Sequence, residues 1–283
     1  MVIVFALAAA VLYGSADFLG GAVSRRTRAL SVLTVSAPAG AILLLVAALA
    51  AGGALPAAGL SWAAAGGAVG GVGLIIFYAG LAAGPMRVVA PVSALVSTLL
   101  PVAVAVTTGE RPGLPVYLGG VSCLVATVLV STEAGRGRGP AARQATLRGL
   151  AYGISAGTAF GMFFLFLKYA GASGVLWPSA ISRLSGAVVM LGVAAWAAAP
   201  PAWRGGSPRL LAGAIASGLL DAAANACYLL ATREGLFGIA VVLTSLYPGI
   251  TVLLARLVLG ERIRPLQVAG LLLAVAGIAA VSV

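Results

Sequence analysis

Apolar runs long enough to cross a lipid bilayer recur along almost the whole chain, and this recurrence restricts the possible folds more than any other feature. A spanning α-helix needs about 20 mostly apolar residues. We predict ten such helices, near 2–23, 29–51, 60–83, 87–108, 114–131, 147–170, 175–199, 209–231, 236–258 and 265–282. Because the chain is 61% hydrophobic and only 8% charged, it cannot cover a soluble fold with polar side chains. The sequence therefore predicts an all-α membrane protein.

The two halves of the chain carry a repeat. Residues 90–131 align without gaps on residues 241–282, a shift of 151 positions. In this alignment the triplet Gly-Glu-Arg at 109–111 falls on the same triplet at 260–262. The match is informative because charged residues are so scarce in this sequence.

An odd number of helices in each repeat has a topological consequence. If each repeat has five helices, the second copy enters the membrane from the opposite side, and such inverted repeats recur in secondary transporters. We therefore predict ten transmembrane helices as two five-helix inverted repeats. The predicted units are the first repeat, 1–131, a linker loop, 132–146, and the second repeat, 147–283.

The motifs of the second repeat resemble those of a known family. Gly-Leu-Leu-Asp at 218–221 is followed by Asn225, Ser-Leu-Tyr-Pro stands at 245–248, and Leu-Gly-Glu-Arg at 259–262 precedes Gln267. This pattern resembles the EamA-type branch of the drug/metabolite transporter superfamily. The first half departs from it, because no counterpart of Asp221, Asn225 or the proline at 248 stands at the aligned positions. Any role of those three residues is therefore asymmetric.

The resemblance implies a function. It implies a secondary carrier that moves small polar or amphipathic metabolites, such as amino-acid-like solutes, by alternating access and in the export direction. The expected location is a bacterial-type cytoplasmic membrane, and the expected partners are the lipid bilayer, a small-molecule substrate and, as a hypothesis, protons. A channel or a non-transporting helical scaffold is the alternative. The oligomeric state stays open.

Other classes of function find little support in the composition. The chain has no histidine and two cysteines, both inside apolar runs, so we expect no enzyme activity, no metal site and no cofactor. The net charge of +11 would suggest nucleic acid in a soluble chain. Here the arginines lie between apolar runs, which is typical of topology control. We therefore expect no nucleic-acid partner.

Ionisable residues inside the predicted spans are the first candidates for a substrate or coupling site, because each costs at least about 2.5–3.5 kcal/mol at the centre of a spanning helix. Asp221, Asn225 and Tyr228 follow an i, i+4, i+7 spacing and share one face of the eighth helix. Such a stripe can line a cavity, or it can join two helices by hydrogen bonds. Both interpretations are open.

Two further charges lie within spans. Asp17 could be a coupling carboxylate, a contact for a substrate ammonium group, or an interfacial partner of Arg25 or Arg26. Arg183 could neutralise Asp221 or Asp17, bind an anionic substrate group, or extend to the membrane interface.

Prolines inside the fourth and ninth predicted helices indicate interrupted spans at matching places of the two repeats, which points to a central site. Hydroxyl side chains flank them and could line a cavity, or they could bond carbonyl groups of their own helix. The candidates of this group are Pro91, Ser93, Ser97, Pro101, Thr244, Ser245, Tyr247 and Pro248.

The charges outside the spans bear on orientation and local pairing. Arginines concentrate in the odd-numbered connections, and the positive-inside rule then places both termini outside. The family resemblance implies both termini inside, so orientation stays open. Glu110 and Glu261 stand beside Arg111 and Arg262, and we expect local pairs at the interface.

Overall fold

A computed structural model of the protein describes residues 1–24, 26–27, 29–52, 59–83, 86–111, 113–131, 140–171, 174–197, 207–259 and 265–281. Within these ranges the chain forms helices and no strand. The helices are α1 (Val2–Ser24), α2 (Ala29–Ala50), α3 (Leu60–Ala83), α4 (Met86–Thr107), α5 (Leu114–Ser131), α6 (Pro140–Gly171), α7 (Leu176–Trp196), α8 (Pro208–Arg233), α9 (Phe237–Thr244), α10 (Tyr247–Leu259) and α11 (Pro265–Val281). The predicted all-α class is confirmed.

Many of these helices suit a bilayer. In the part of the chain that the structure describes, seven helical stretches are long and apolar enough to cross a membrane. One of them, Phe237–Ala255, runs across α9 and α10. Three shorter apolar helices, Val92–Thr107, Leu114–Leu129 and Pro265–Ala280, lie at predicted spans four, five and ten. The protein is therefore a multi-pass membrane protein.

The sixth helix begins earlier than the hydropathy pattern predicts. It starts at Pro140 rather than near residue 147, and proline is favoured at the first position of a helix. Its first turns carry Arg143, Gln144 and Arg148, which can be helical outside the hydrocarbon but do not register in a search for apolar runs. Residues 132–139 of the predicted linker lie outside the described residues.

The prediction of two interrupted spans is half right. The ninth predicted helix is divided at Ser245 and Leu246, and Pro248 stands in the first turn of α10, where a missing N–H costs little. The predicted interruption of the fourth helix at Pro91 and Pro101 is wrong, because α4 is continuous through both positions.

Close packing against α6 accounts for the continuity of α4. A Cβ atom on Gly161 would lie 3.3 Å from the Ser97 carbonyl oxygen and 3.4 Å from Cδ of Pro101. The backbone of α6 therefore fits directly against the turn that the proline weakens, and neighbouring helices can sustain such a turn inside a membrane.

Glycines allow the helices to cross closely. A Cβ atom on Gly218 of α8 would overlap the carbonyl oxygen of Ser36 in α2, and one on Gly67 of α3 would overlap that of Ser182 in α7. Small residues at such crossings let two backbones approach each other in a membrane. Close packing is thus the role of these glycines.

Each half of the chain packs mainly against the other half. Helix α1 packs on α8, α3 on α6 and α7, α4 on α6, α2 on α7 and α8, and α5 on α11. Helix α1 also contacts α9 and α10. The two interfaces α1/α8 and α3/α6 differ in chemistry, as the next section describes.

Candidate functional site

The centre of the α1/α8 interface contains a buried hydrogen bond between polar side chains. The Tyr13 hydroxyl donates to Oδ1 of Asn225, and Asn225 is completely buried. The Nδ2 group of the same amide is buried and has no hydrogen-bond partner among the residues that the structure describes. An unpaired buried donor is costly, so this atom marks a place where a polar ligand atom or a water molecule would be stabilised.

An ion pair lies one helical turn away. Nη1 of Arg183, on α7, contacts Oδ2 of Asp221, and Nη2 donates to the main-chain oxygen of Asp221 at 3.0 Å. Of the alternatives for Arg183, neutralisation of Asp221 is the one that the structure contains. The side chains are 17% and 35% exposed, respectively, and the Arg183 Nε group is buried without a partner.

Asp17 completes the polar group and differs from Asp221. It follows Tyr13 by one turn of α1 and is exposed, yet it interacts electrostatically with Asp221, Tyr13 and Tyr247. Its carboxylate is therefore close to α8 and α10, the helices that carry Asp221 and Tyr247. Within the described residues the Asp17 carboxylate has no hydrogen bond or ion pair, so it is available to a cation or a proton.

Aromatic rings pack around Tyr13, next to the polar group. The Tyr13 ring lies 6.4 Å from that of Phe164 and 6.2 Å from that of Tyr247, with both pairs edge to face. Tyr228 contacts Phe164 at 4.8 Å between ring centroids and donates its hydroxyl to the Phe164 carbonyl oxygen at 3.1 Å. Tyr228 is thus a helix-joining residue, whereas Asp221 and Asn225 lie in the polar group.

A buried apolar cluster lies next to the polar group, towards the end of α8. Tyr13 and Tyr228 pack there in one cluster with other buried residues of α1, α4, α6, α8 and α9, namely Ala9, Ala105, Leu167, Ala224, Leu229, Phe237 and Val241. Asp17 lies towards the opposite end of α1, nearer Ser24. We call the cluster of these nine residues the apolar plug. The polar group therefore borders the apolar plug at one end, whereas Asp17, towards the other end, is exposed.

The interface between α3 and α6 is aromatic instead of polar. A Cβ atom on Gly70 would lie 2.8 Å from the Phe163 ring, and one on Gly73 would lie 3.1 Å from the Phe160 ring. Because the rings fill the space that glycine leaves, this interface has no room for a solute at these positions.

The predicted hydroxyl candidates mostly bond within the protein. Ser97 and Thr98 each donate to the Ala94 carbonyl at 2.9 Å, and Ser245 donates to that of Val242 at 2.7 Å. Thr244 donates to the Ala6 carbonyl at 3.5 Å. Bonding to nearby carbonyls was the alternative interpretation for this group.

The remaining members of that group fall in different places. Ser93 and Pro101 are buried in α4, and the Ser93 carbonyl lies 2.6 Å from a Cβ built on Gly157. Pro248 is half-buried, as is Tyr247, whose ring packs against that of Tyr13. The side chain of Pro91 lies outside the described residues.

Sequence reasoning missed Tyr13 as a site residue. Its hydroxyl is the partner of Asn225. A tyrosine in an apolar helix is uncharged, however, and a search for charged residues inside the spans does not select it. The pair Tyr13-Gly14 has a similar pair, Phe160-Gly161, in the second half of the chain, and this likeness is a weak signal in the sequence. Gly14 explains the location, because a Cβ there would lie 2.6 Å from the Tyr247 carbonyl oxygen. Helix α10 therefore approaches α1 closely at this level.

Glu110 also differs from its prediction. Instead of a local pair with Arg111, its Oε1 accepts the Phe237 N–H at 2.8 Å and its Oε2 accepts the Gly238 N–H at 3.0 Å. Glu261 and Arg262 lie outside the described residues. Among the described residues, no group of three or more His, Cys, Asp or Glu side chains could hold a metal ion.

These features define a multi-pass helical membrane protein with an ionisable polar group in its interior. Residues 147–283 match the sequence model of the EamA-like transporter family. This match confirms the predicted resemblance of residues 147–283 to the EamA-like transporter family, a domain of the drug/metabolite transporter superfamily.

Other comparisons bear on the fold. No curated protein matches the chain, but 24 chains of solved structures do. One crystal structure superposes with a TM-score of 0.80 at 18% identity, over 99% of this chain and 95% of that one. At this identity the likeness shows that the fold is shared, and it carries no information on substrate.

Proposed function

We propose that the protein is a secondary carrier that moves small polar or amphipathic metabolites across the membrane by alternating access, with amino-acid-like solutes as substrates and export as the direction. The observation that carries this proposal is the buried Tyr13–Asn225 hydrogen bond, which leaves Nδ2 of Asn225 without a partner among the described residues, with the carboxylate of Asp17 one helical turn after Tyr13. A carboxylate within a membrane-spanning helix is costly unless it serves a ligand or an ion.

The chemistry of the polar group favours a zwitterionic solute. The Asp17 carboxylate can accept hydrogen bonds from an ammonium group, and Nδ2 of Asn225 can donate to a carboxylate or carbonyl oxygen. The ring faces of Tyr13, Tyr247 and Phe164 offer contact area to an apolar portion and to a cation. An amino-acid-like solute carries all of these groups on one small molecule.

The packing supports two inverted repeats of five spans. In such an arrangement the counterparts of α1 to α5 are, in order, α6, α7, α8, α9–α10 and α11. Exchange of the two halves then replaces α1 by α6 and α8 by α3, so the α1/α8 interface corresponds to the α3/α6 interface. It likewise turns α2/α8 into α3/α7, and both members of each pair are contacts of the protein. The shift of 151 that aligns the sequence repeat also places Gly67 on Gly218, and each meets a carbonyl oxygen at a helix crossing.

Protons are the proposed coupling ion, and Asp17 is the better candidate for carrying them. Asp221 is already neutralised by Arg183, so a proton there would compete with an ion pair. Asp17 has no such competitor among the described residues. A proton and a substrate ammonium group would then compete for one carboxylate, which couples their movements. A bacterial-type cytoplasmic membrane, which sustains a proton gradient, is the proposed location.

Solute counterflow in proteoliposomes tests the proposal. We expect vesicles loaded with an unlabelled amino acid to accumulate the labelled one faster than empty vesicles. We expect Asp17→Asn to remove the pH dependence of this exchange. The matched control is Glu234→Gln, which likewise replaces a carboxylate by an amide but at an exposed position outside the helices. It should behave like the wild type. Flux without exchange acceleration would indicate a channel, and no flux across an amino-acid, nucleoside and amine panel would indicate a scaffold.

A further inference from the structure

The carboxylate of Glu110 caps a helix of the other half of the chain. Glu110 follows α4, and its two oxygens accept the N–H groups of Phe237 and Gly238, the first two residues of α9. The first N–H groups of a helix have no partner within the helix. A negative charge at that end is also stabilised by the helix dipole. The contact spans 127 positions of sequence.

The chain after α4 is shaped to make this contact. Gly109 has a φ of 107°, a conformation that favours glycine, and the N–H of Glu110 donates to the Ala105 carbonyl at 3.0 Å. This turn directs the Glu110 side chain towards α9. A Cβ atom on Gly238 would lie 3.4 Å from Oε2 of Glu110, so the carboxylate reaches the backbone of α9 closely.

The capped end of α9 is part of the apolar plug. Phe237 is 1% exposed and packs with Tyr13, Leu167 and Leu229. The ammonium group of Lys168 lies 4.1 Å from the centroid of the Phe237 ring, which is a favourable cation–π distance. Glu110, in the loop after α4, and Lys168 of α6 therefore both contact Phe237 of the apolar plug.

Helix α9 is a short unit that ends in a break. Its eight residues end at Thr244, and the chain then turns through Ser245 and Leu246 before α10 begins. The N–H of Leu246 donates to the Leu243 carbonyl at 3.3 Å, and that of Gly249 donates to the Leu246 carbonyl at 2.9 Å. Residues at element ends commonly absorb the backbone change of a hinge motion. The cap and the break thus lie at opposite ends of the same segment.

We infer that Glu110 is a positioning residue of the transport cycle: its carboxylate holds α9 so that the apolar plug stays closed, and its release allows α9 to open that end of the site. This inference rests on the proposed alternating access. It assigns to Glu110 a role in the balance between the two access states, without contact to the substrate.

Labelling of Cys227 tests the inference in the full-length protein, after Cys123, which is fully buried, has been replaced by alanine. Cys227 is half-buried, packs against the apolar plug and interacts electrostatically with Tyr13. The measurement is its rate of reaction with a charged methanethiosulfonate reagent, applied in turn to each side of oriented proteoliposomes. We expect Glu110→Gln to raise the rate from the side of Glu234 about fivefold, the factor in the opening equilibrium that corresponds to the typical stability lost with a helix cap.

Three variants make the result specific. Glu110→Asp keeps the charge and is expected to restore labelling towards the wild-type rate. Glu234→Gln, at the same end of α8, should leave labelling unchanged. Glu261→Gln, which alters the other Gly-Glu-Arg triplet and lies outside the described residues, should not raise labelling from the Glu234 side. Should Glu110→Gln not fold, Glu110→Ala and Gly238→Ala offer the same measurement with the cap removed or crowded.

Two outcomes would overturn the inference: equal labelling of Glu110→Gln and the wild type from the Glu234 side, or a rise that Glu234→Gln reproduces. Because labelling needs no substrate, it is independent of the counterflow assay. Counterflow failure with a positive labelling result would contradict the proposed transport and leave Glu110 only as the residue that keeps the apolar plug closed, and the reverse pattern would contradict only the role of Glu110.

Discussion

The Tyr13 hydroxyl and the Asn225 amide oxygen join α1 to α8 across 212 positions of sequence. The bond is buried at the centre of the interface between the two halves, and it fixes which end of the amide is left open. With the phenol on Oδ1, the Nδ2 group is the part of this amide that has no hydrogen-bond partner among the described residues. A residue of the first half of the chain therefore orients an amide of the second half.

We expect Tyr13→Phe to weaken substrate binding more than it slows turnover. The change leaves Oδ1 of Asn225 unpaired, which typically costs about 1–3 kcal/mol, and it frees the amide to rotate. The KM for transport should rise about tenfold, since about 1.4 kcal/mol corresponds to that factor. Tyr117→Phe, at an exposed tyrosine of α5, is the control. An unchanged KM would show that the amide orientation is irrelevant.

The Arg183–Asp221 ion pair should behave as one unit. Removal of one partner leaves an uncompensated charge in the bilayer interior, so Arg183→Gln and Asp221→Asn should each lower the thermal midpoint of the purified protein and the transport rate. The double variant contains no such charge, and its thermal midpoint should lie above that of Arg183→Gln. Strictly additive losses in the double-mutant cycle would contradict this expectation.

Gly218 should tolerate no side chain. Alanine there would place a Cβ atom on the Ser36 carbonyl oxygen, so α2 and α8 would have to separate. We expect Gly218→Ala to lower the thermal midpoint by several degrees and to reduce the yield of monodisperse protein. Gly192→Ala, where a Cβ meets nothing within 4 Å, is the matched control. Equal behaviour of the two variants would argue against the close crossing.

The hydroxyls of α4 should contribute little to binding. Ser97 and Thr98 bond the Ala94 carbonyl of their own helix, so their removal leaves no unpaired group facing a solute. Ser97→Ala and Thr98→Val should each change KM by less than about twofold, whereas Asn225→Ala should raise it strongly, as expected for loss of a buried hydrogen bond. A large effect of Ser97→Ala would place α4 in the binding site.

Sequence reasoning selected candidate residues by their charge and overlooked partners that are uncharged. Asp17, Asp221 and Arg183 stood out because charges rarely occur inside spans, and the helical period placed Asn225 beside Asp221. The same period could not tell that Tyr228 bonds the Phe164 carbonyl, because it gives the face of a residue but not its neighbour. Tyr13 and the cap by Glu110 depend on contacts between the halves, which no local pattern records.

The prolines show a second limit of sequence reasoning. A proline weakens a helix at a known turn, but its surroundings decide whether the helix breaks. Pro101 lies against Gly161 of a neighbouring helix and α4 continues, whereas the chain breaks before Pro248. Both turns contain the same residue type, so only the packing distinguishes them.

The contrast between the polar α1/α8 interface and the aromatic α3/α6 interface has a thermodynamic consequence for the proposed carrier. If both interfaces were chemically identical, exchange of the halves would give two empty conformations of equal free energy. Here Phe160 and Phe163 lie in the α3/α6 interface, while Asp17 and Asn225 lie in the α1/α8 interface. The two empty conformations of such a carrier would therefore differ in free energy, and the empty protein would favour one of them. Net flux still follows the gradients, but the slow return of the empty carrier would differ between uptake and release, and transport rates would be unequal in the two directions.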